Sequence, residues 1–179
     1  MMAGTAHYAP PMPRFDSPVK LLIVVAPFYK DITDALVAGA RGVIEGAGAT
    51  HDLIEVPGAL EVPTAIRIAQ RTSNFDGFVA LGCVIRGETT HYDTVCSDSS
   101  RALTLLGLDG VCIGNGILTV ENHGQAAARA GDQNKGGNAA TAALHLVALS
   151  RKWSGTSKGI GFLPGSYRVA GDGEGPGTA

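Results

Sequence analysis

The chain has 179 residues, 45% hydrophobic and 17% charged, a length and balance that suit one folded domain with a sizeable core and exclude a mostly disordered protein. Sixteen acidic against fourteen basic side chains leave a formal charge of -2 with no basic run, which argues against nucleic acid as a partner. No stretch approaches the roughly 20 apolar residues of a membrane span, and the N-terminus lacks the apolar centre of a secretion signal, so a cytoplasmic protein is expected.

Residues 1–18 carry four of the nine prolines and no periodic pattern, and are expected to form an extended arm that at most pairs along a sheet edge. "VKLLIVVA" (19–26) is a continuous β-branched and leucine run, the pattern of a strand buried on both faces of a parallel sheet. A helix is predicted from Asp31, its N-cap, with Ile32, Ala35, Leu36, Gly39, Ala40, Val43, Ile44 and Ala47 on one face and "GAGA" ending it. "HDLIEV" reads as a short strand, "PGALEVPTAIRIAQR" as a loop entering a helix, and "FDGFVALGCVI" as another buried strand. Tyr92, Val95, Cys96, Ser99, Ala102, Leu103 and Leu106 mark a third helical face. "DGVCIGNGIL" then reads as a fourth strand and residues 120–130 and 136–151 as two more helices, while the glycine-rich segment 153–179 is expected to be a flexible tail outside the 19–152 domain.

Strands alternating with helices imply right-handed crossovers and a flavodoxin-like three-layer αβα sandwich around four parallel strands, a sheet that the N-terminal arm of a neighbouring subunit could extend. Such a fold places its chemistry at the carboxyl ends of the strands. The expected loops are "APFYKD", "VPGALE", "IRGETTHYD" and "GNGILTVEN".

In the third of these loops, Gly87 permits close backbone approach, and Thr89 and Thr90 add hydroxyls ahead of a helix whose first N–H groups are unpaired. The segment resembles a phosphate cradle without the ending of a P-loop, and either threonine is equally suited to a simple N-cap. His91 at the same helix start suits proton transfer near neutral pH, although a lone histidine is more often an ordinary surface residue. His7, His51, His123 and His145 show no metal-ligand spacing, nor do Cys83, Cys96 and Cys112, whose odd number and apolar settings suggest reduced, structural thiols. No metal site is expected. Phe28 is placed either to stack on a flat heterocycle or to pack against the first helix, and Glu61 either to start a helix or to meet polyol hydroxyls. Arg129 and Lys135 flank the junction of the last two helices, where cations are usually solvated but can also complete a neighbour's anion site.

Taken in order, "IVVAPFYKDI", "VPGALEVP", "LGCVIRGETTHYD", "GNGILTVEN", "QAAARAG" and "NKGG" resemble the lumazine synthase family over residues 20–152. The resemblance implies condensation of 5-amino-6-(D-ribitylamino)uracil with 3,4-dihydroxy-2-butanone 4-phosphate to 6,7-dimethyl-8-ribityllumazine, phosphate and water, the penultimate step of riboflavin biosynthesis, with no cofactor or metal. By the same resemblance Phe28 stacks on the pyrimidine, Gly58, Ala59, Leu60 and Glu61 line the ring and ribityl sites, and Gly82, Cys83, Val84 and Ile85 offer backbone contacts. Glu88 and Thr89, joined by Arg129 and Lys135, take the phosphate, and His91 transfers protons. The family builds homopentamers with active sites between subunits, so that Asn115 and Arg129 face the Phe28 and His91 of a neighbour. The short "RAGDQNKGG" segment suggests a free or paired pentamer rather than a capsid. Tyr29 and Asn115 stand where the family often has asparagine and an aromatic residue, which predicts a weaker hold on the pyrimidine. An inactive flavin-binding or shell-forming homologue and an archaeal-type riboflavin synthase are the alternatives.

Overall fold

A computed structural model describes residues 8–154. The elements run β1 (Lys20–Val25), α1 (Lys30–Gly46), β2 (Thr50–Glu55), α2 (Glu61–Thr72), β3 (Gly77–Ile85), α3 (His91–Leu108), β4 (Ile113–Val120), α4 (His123–Ala130) and α5 (Lys135–Ser154). The four strands form one parallel sheet in the order β2-β1-β3-β4.

Parallel neighbours require crossovers, and these put helices on both faces. Along β1 the side chains alternate. Leu21, Ile23 and Val25 enter a cluster with Ile32, Leu36 and Ile44 of α1 and Ala140, Leu144 and Val147 of α5. Leu22 and Val24 enter the opposite cluster, with Val62 and Ile66 of α2 and Leu103 of α3. An all-apolar strand is thus the expected result of burial on two sides, and all five of these β1 residues are at most 3% exposed. Every residue predicted for the apolar faces of α1 and α3 is buried or half-buried, which is what a helix laid one-sidedly on a sheet requires.

Three boundaries differ from expectation. Asp31 is not the N-cap of α1: Tyr29 is, and Asp31 lies in the first turn, where its charge favours the helix dipole. β4 runs from Ile113 to Val120, so "GNGIL" is strand as read, the "DGVC" before it is not, and Thr119 and Val120, expected in the following loop, are strand as well. Its glycines serve packing. A side chain at Gly114 would overlap the main-chain carbonyl of Ala139, so glycine lets α5 lie directly on the strand. Finally, α5 continues through Trp153 to Ser154; the remainder of the expected tail, and residues 1–7 of the arm, lie outside the described residues.

Residues 8–18 contain no helix or strand. Arg151 near the end of α5 ties this segment down, donating from Nη1 to the Ser17 carbonyl at 3.1 Å and from Nη2 to the Pro18 carbonyl at 2.6 Å and to Asp76 Oδ1 at 2.8 Å. The four strands end toward one side, and their order reverses between β1 and β3. That switch point is where the loops part and a crevice opens.

Candidate active site

A cleft of about 490 Å³ lies at that switch point. The loop after β1 contributes Phe28 and Tyr29, the turn before α2 contributes Pro57 to Glu61, the end of β3 contributes Cys83 to Ile85, and the segment entering α3 contributes Gly87, Thr89 and His91. Ten of the residues singled out from sequence therefore share one wall-to-wall space: Phe28, Gly58, Ala59, Leu60, Glu61, Cys83, Val84, Ile85, Thr89 and His91.

Phe28 is 74% exposed and lies outside the core. Its ring meets the edge of Tyr29 at a centroid distance of 5.1 Å and an interplanar angle of 67°. Tyr29 packs against the core beside α1 and holds Phe28 out into the cleft. A large exposed aromatic braced in this way offers an apolar face to a planar ligand.

Glu61 starts a helix, α2, as one of its readings had it; its carboxylate favours the helix dipole there, and its side chain also borders the cleft. A side chain added at Gly58 would come within 2.9 Å of Glu61 Oε2, so the carboxylate leans over the Gly58 backbone.

The third wall is the start of α3. Thr90 occupies the N-cap but makes no side-chain cap bond; instead the Thr89 hydroxyl accepts from the His91 N–H at a long 3.4 Å. The first turn closes through the Asp93 and Thr94 N–H groups on the Thr90 carbonyl. An 18-residue helix thus presents the positive end of its dipole, the Thr89 hydroxyl and an exposed imidazole to the cleft. Gly87 has no other atom within 4 Å of the place a side chain would occupy, and its φ is not positive. Nothing among the described residues calls for glycine there.

Cys83 forms part of the floor. Burial, helped by the nearby Asp31 carboxylate, pushes its thiol up to about 11, so it is neutral and unreactive at ordinary pH. Asp31 itself is held below the usual carboxylate range by His123, whose Nε2 lies 2.7 Å from Oδ2, a pair that joins α1 to α4. Cys96 and Cys112 are also free thiols.

Five predicted residues stand apart from this cleft. Gly82 is buried within β3 and does not reach the surface of the cleft. Glu88 is exposed on the loop and is not among the residues that line the cleft. Asn115 lies in β4, not in a loop; its Oδ1 accepts from the Ile117 N–H at 3.0 Å, on the exposed edge of the sheet. Arg129, in α4, donates to the Gln125 carbonyl at 3.1 Å, and Lys135 is exposed at the start of α5. Four lining residues were not singled out from sequence: Ala26, Pro57, Tyr92 and Val95. Tyr92 and Val95 had been assigned to the buried face of α3, and the helix start is where that face meets the cleft; position beside His91 was the available signal.

A profile of the 6,7-dimethyl-8-ribityllumazine synthase family matches residues 18–151. The chain belongs to the lumazine synthase family. Similar proteins bearing the name 6,7-dimethyl-8-ribityllumazine synthase include one of Jannaschia sp. (strain CCS1), 58% identical over 172 residues that cover 94% of this chain and 97% of that protein. A second, from Novosphingobium aromaticivorans, is 53% identical over 137 residues, 75% of this chain and 99% of that protein. A third, from Agrobacterium fabrum, is 54% identical over 143 residues, 75% of this chain and 97% of that protein. The match of the lumazine synthase profile contains the whole sheet and every candidate site residue, whereas the Jannaschia relative extends the likeness beyond the 19–152 domain. No helix among the described residues is long and apolar enough to cross a membrane.

Proposed function

We propose that this chain is a transferase that condenses 5-amino-6-(D-ribitylamino)uracil with 3,4-dihydroxy-2-butanone 4-phosphate, releasing 6,7-dimethyl-8-ribityllumazine, phosphate and water in the penultimate step of riboflavin biosynthesis. The observation that carries the reading is the pairing, across one cleft, of an exposed stacking aromatic with a helix start bearing Gly87, Thr89 and His91. A flat pyrimidine and a phosphate ester are the two ligands those walls suit.

In this reading Phe28 stacks on the pyrimidine, the backbone of Cys83 to Ile85 meets its polar edge, and Gly58 to Glu61 hold the ribityl chain. Glu88 and Thr89 take the phosphate through main-chain N–H groups and the Thr89 hydroxyl. His91 moves protons as the 5-amino group forms an imine with the ketone, as phosphate leaves, and as the ribitylamino nitrogen closes the second ring. Orientation of two bound reactants supplies about 7 to 11 kcal/mol of the barrier reduction, against roughly 3 to 5 kcal/mol for a general acid or base worth 10²- to 10⁴-fold.

Asn115, Arg129 and Lys135 reach the reaction only if a neighbouring subunit brings them, so the working unit is a homopentamer, free or paired, with each site between two subunits. The exposed edge of β4 supports this: beside it lies a groove of about 640 Å³ containing Leu108, Leu146, Leu149 and Trp153, apolar side chains that favour coverage. The setting is cytoplasmic, in keeping with neutral buried thiols.

The test mixes the protein with both substrates and follows lumazine fluorescence and released phosphate. Equal appearance of the two is expected. No product from either signal points to an inactive scaffold, and conversion of lumazine to riboflavin in place of its formation points to a riboflavin synthase. Light scattering gives the assembly, and a monomer active at full rate would dismiss the shared site.

A further inference from the structure

Arg86 is the residue in this region whose role the reaction as described leaves open. Its guanidinium lies 4.1 Å from the centroid of the Tyr92 ring, donates from Nε to Glu121 Oε2 at 2.8 Å and from Nη1 to Asp93 Oδ1 at 3.2 Å. One cation thus joins the end of β3 to the first turn of α3 and to the residue that follows β4.

A bracing role for the side chain is poorly supported by the geometry. The Arg86 main chain is already anchored, its N–H donating to the Val120 carbonyl at 3.0 Å, and the first turn of α3 is closed by its own backbone bonds to Thr90. Both ion pairs are well exposed, with side-chain exposures of 41% for Arg86, 59% for Asp93 and 57% for Glu121. Exposed pairs of this kind contribute little to stability.

Charge gives a clearer account. Asp93 lies in the first turn of α3, two residues after His91, and Glu121 is held at this segment through Arg86, which precedes Thr89 by three residues, so both carboxylates are tied to the segment assigned to the phosphate. Without a cation they would oppose any anion approaching the start of α3. We infer that Arg86 is a positioning residue for the phosphate-bearing substrate, acting by offsetting the charge of Asp93 and Glu121 so that the helix start stays open to an anion. The inference rests on the phosphate site proposed above.

The experiment compares wild type, Arg86→Gln and the triple variant Arg86→Gln/Asp93→Asn/Glu121→Gln, using inorganic phosphate as a competitive probe and both substrates in steady-state assays at low and high salt. Arg86→Gln is expected to raise the KM for the phosphate-bearing substrate and the inhibition constant of phosphate by about 10-fold at low salt, and by about 3-fold or less at 0.5 M salt, where exposed charges are screened. The KM for the pyrimidine should stay within about 2-fold, and the melting midpoint within about 3 °C. The triple variant, which lacks both carboxylates, should recover to within about 3-fold of wild type. Unchanged phosphate constants in Arg86→Gln would overturn the inference while leaving the proposed function intact. So would equal, salt-independent losses for both substrates that the triple variant fails to rescue, since those describe an ordinary brace. If wild type neither forms lumazine nor responds to phosphate, the proposed function itself falls and takes the inference with it.

Discussion

Replacing Gly87 with alanine separates the needs of the fold from those of a ligand. The site of the new methyl group is empty to 4 Å and the backbone there is not in the left-handed region, so the chain can accept alanine without movement. Alanine also restricts the unfolded chain, and a compatible Gly→Ala exchange stabilises by about 0.4–1 kcal/mol. For a domain of this size that raises the melting midpoint by roughly 1–4 °C. The cost appears only with substrate. If a phosphate oxygen must approach the main chain here, the methyl group displaces it and removes one charged hydrogen bond, worth about 1.5–3 kcal/mol, or roughly 10- to 150-fold in KM for the phosphate-bearing substrate. Thermal melts at fixed protein concentration and steady-state kinetics at saturating pyrimidine measure the two halves. A stabilised variant with unchanged KM would refute approach of the phosphate to Gly87, and a midpoint lowered by more than about 5 °C would refute the claim of free space.

Two strand glycines should behave oppositely: Gly114→Ala drives a methyl group into the Ala139 carbonyl and should cost about 3 kcal/mol or more, roughly 6–12 °C in the melt, whereas Gly82→Ala meets Ala26 and Ile117 at 3.6 and 3.7 Å and should stay within about 1 kcal/mol. Equal midpoints for the pair would sink the packing argument. His91→Ala should lower kcat by 10²- to 10⁴-fold while the melt and the binding of both substrates stay near wild type, because the side chain is exposed; an unchanged kcat would remove His91 from proton transfer. At pH 8 the Cys83 thiol, raised from 9.0 to about 11, should react with iodoacetamide at least about 100-fold more slowly than an unperturbed thiol, from its smaller thiolate fraction. Because its folded value lies above the unfolded one, the associated stability is complete below about pH 9 and is lost as pH rises toward 11, a contribution of about 3 kcal/mol that Cys83→Ala should remove from the alkaline unfolding curve. Rapid labelling of Cys83 at pH 8, followed by peptide mass spectrometry, would contradict its burial.

Local periodicity was enough to read the elements. The unbroken run from Leu21 to Val25 could satisfy its side chains only between two covering layers, and the spacing from Ile32 to Ala47 could serve only a helix lying on one face, so strand, helix and layer count followed from residue pattern alone. The position of the loop from Gly87 to His91 on a cleft was legible for a similar reason: in a parallel sheet the segment between the carboxyl end of a strand and the next helix borders the crevice. The Gly114–Gly116 stretch shows what the pattern left open. Its glycines, placed both in the fourth strand and in the loop after it, are strand, and what they accommodate is distant in sequence: the Ala139 carbonyl of α5 at Gly114, and the Leu81 and Ala139 side chains at Gly116. Strand order lay equally beyond local reach. It is the placement of β4 at the sheet edge that turns Asn115 away from Phe28 and His91, and the meeting of β3, α3 and β4 that brings Glu121 to Arg86 across 35 residues. Likewise Arg151 finds Ser17 across 134 residues only once α5 has docked. Such contacts depend on which buried surfaces pair, a choice made by the packing of the whole sheet and invisible in any window of sequence shorter than the crossover between two strands.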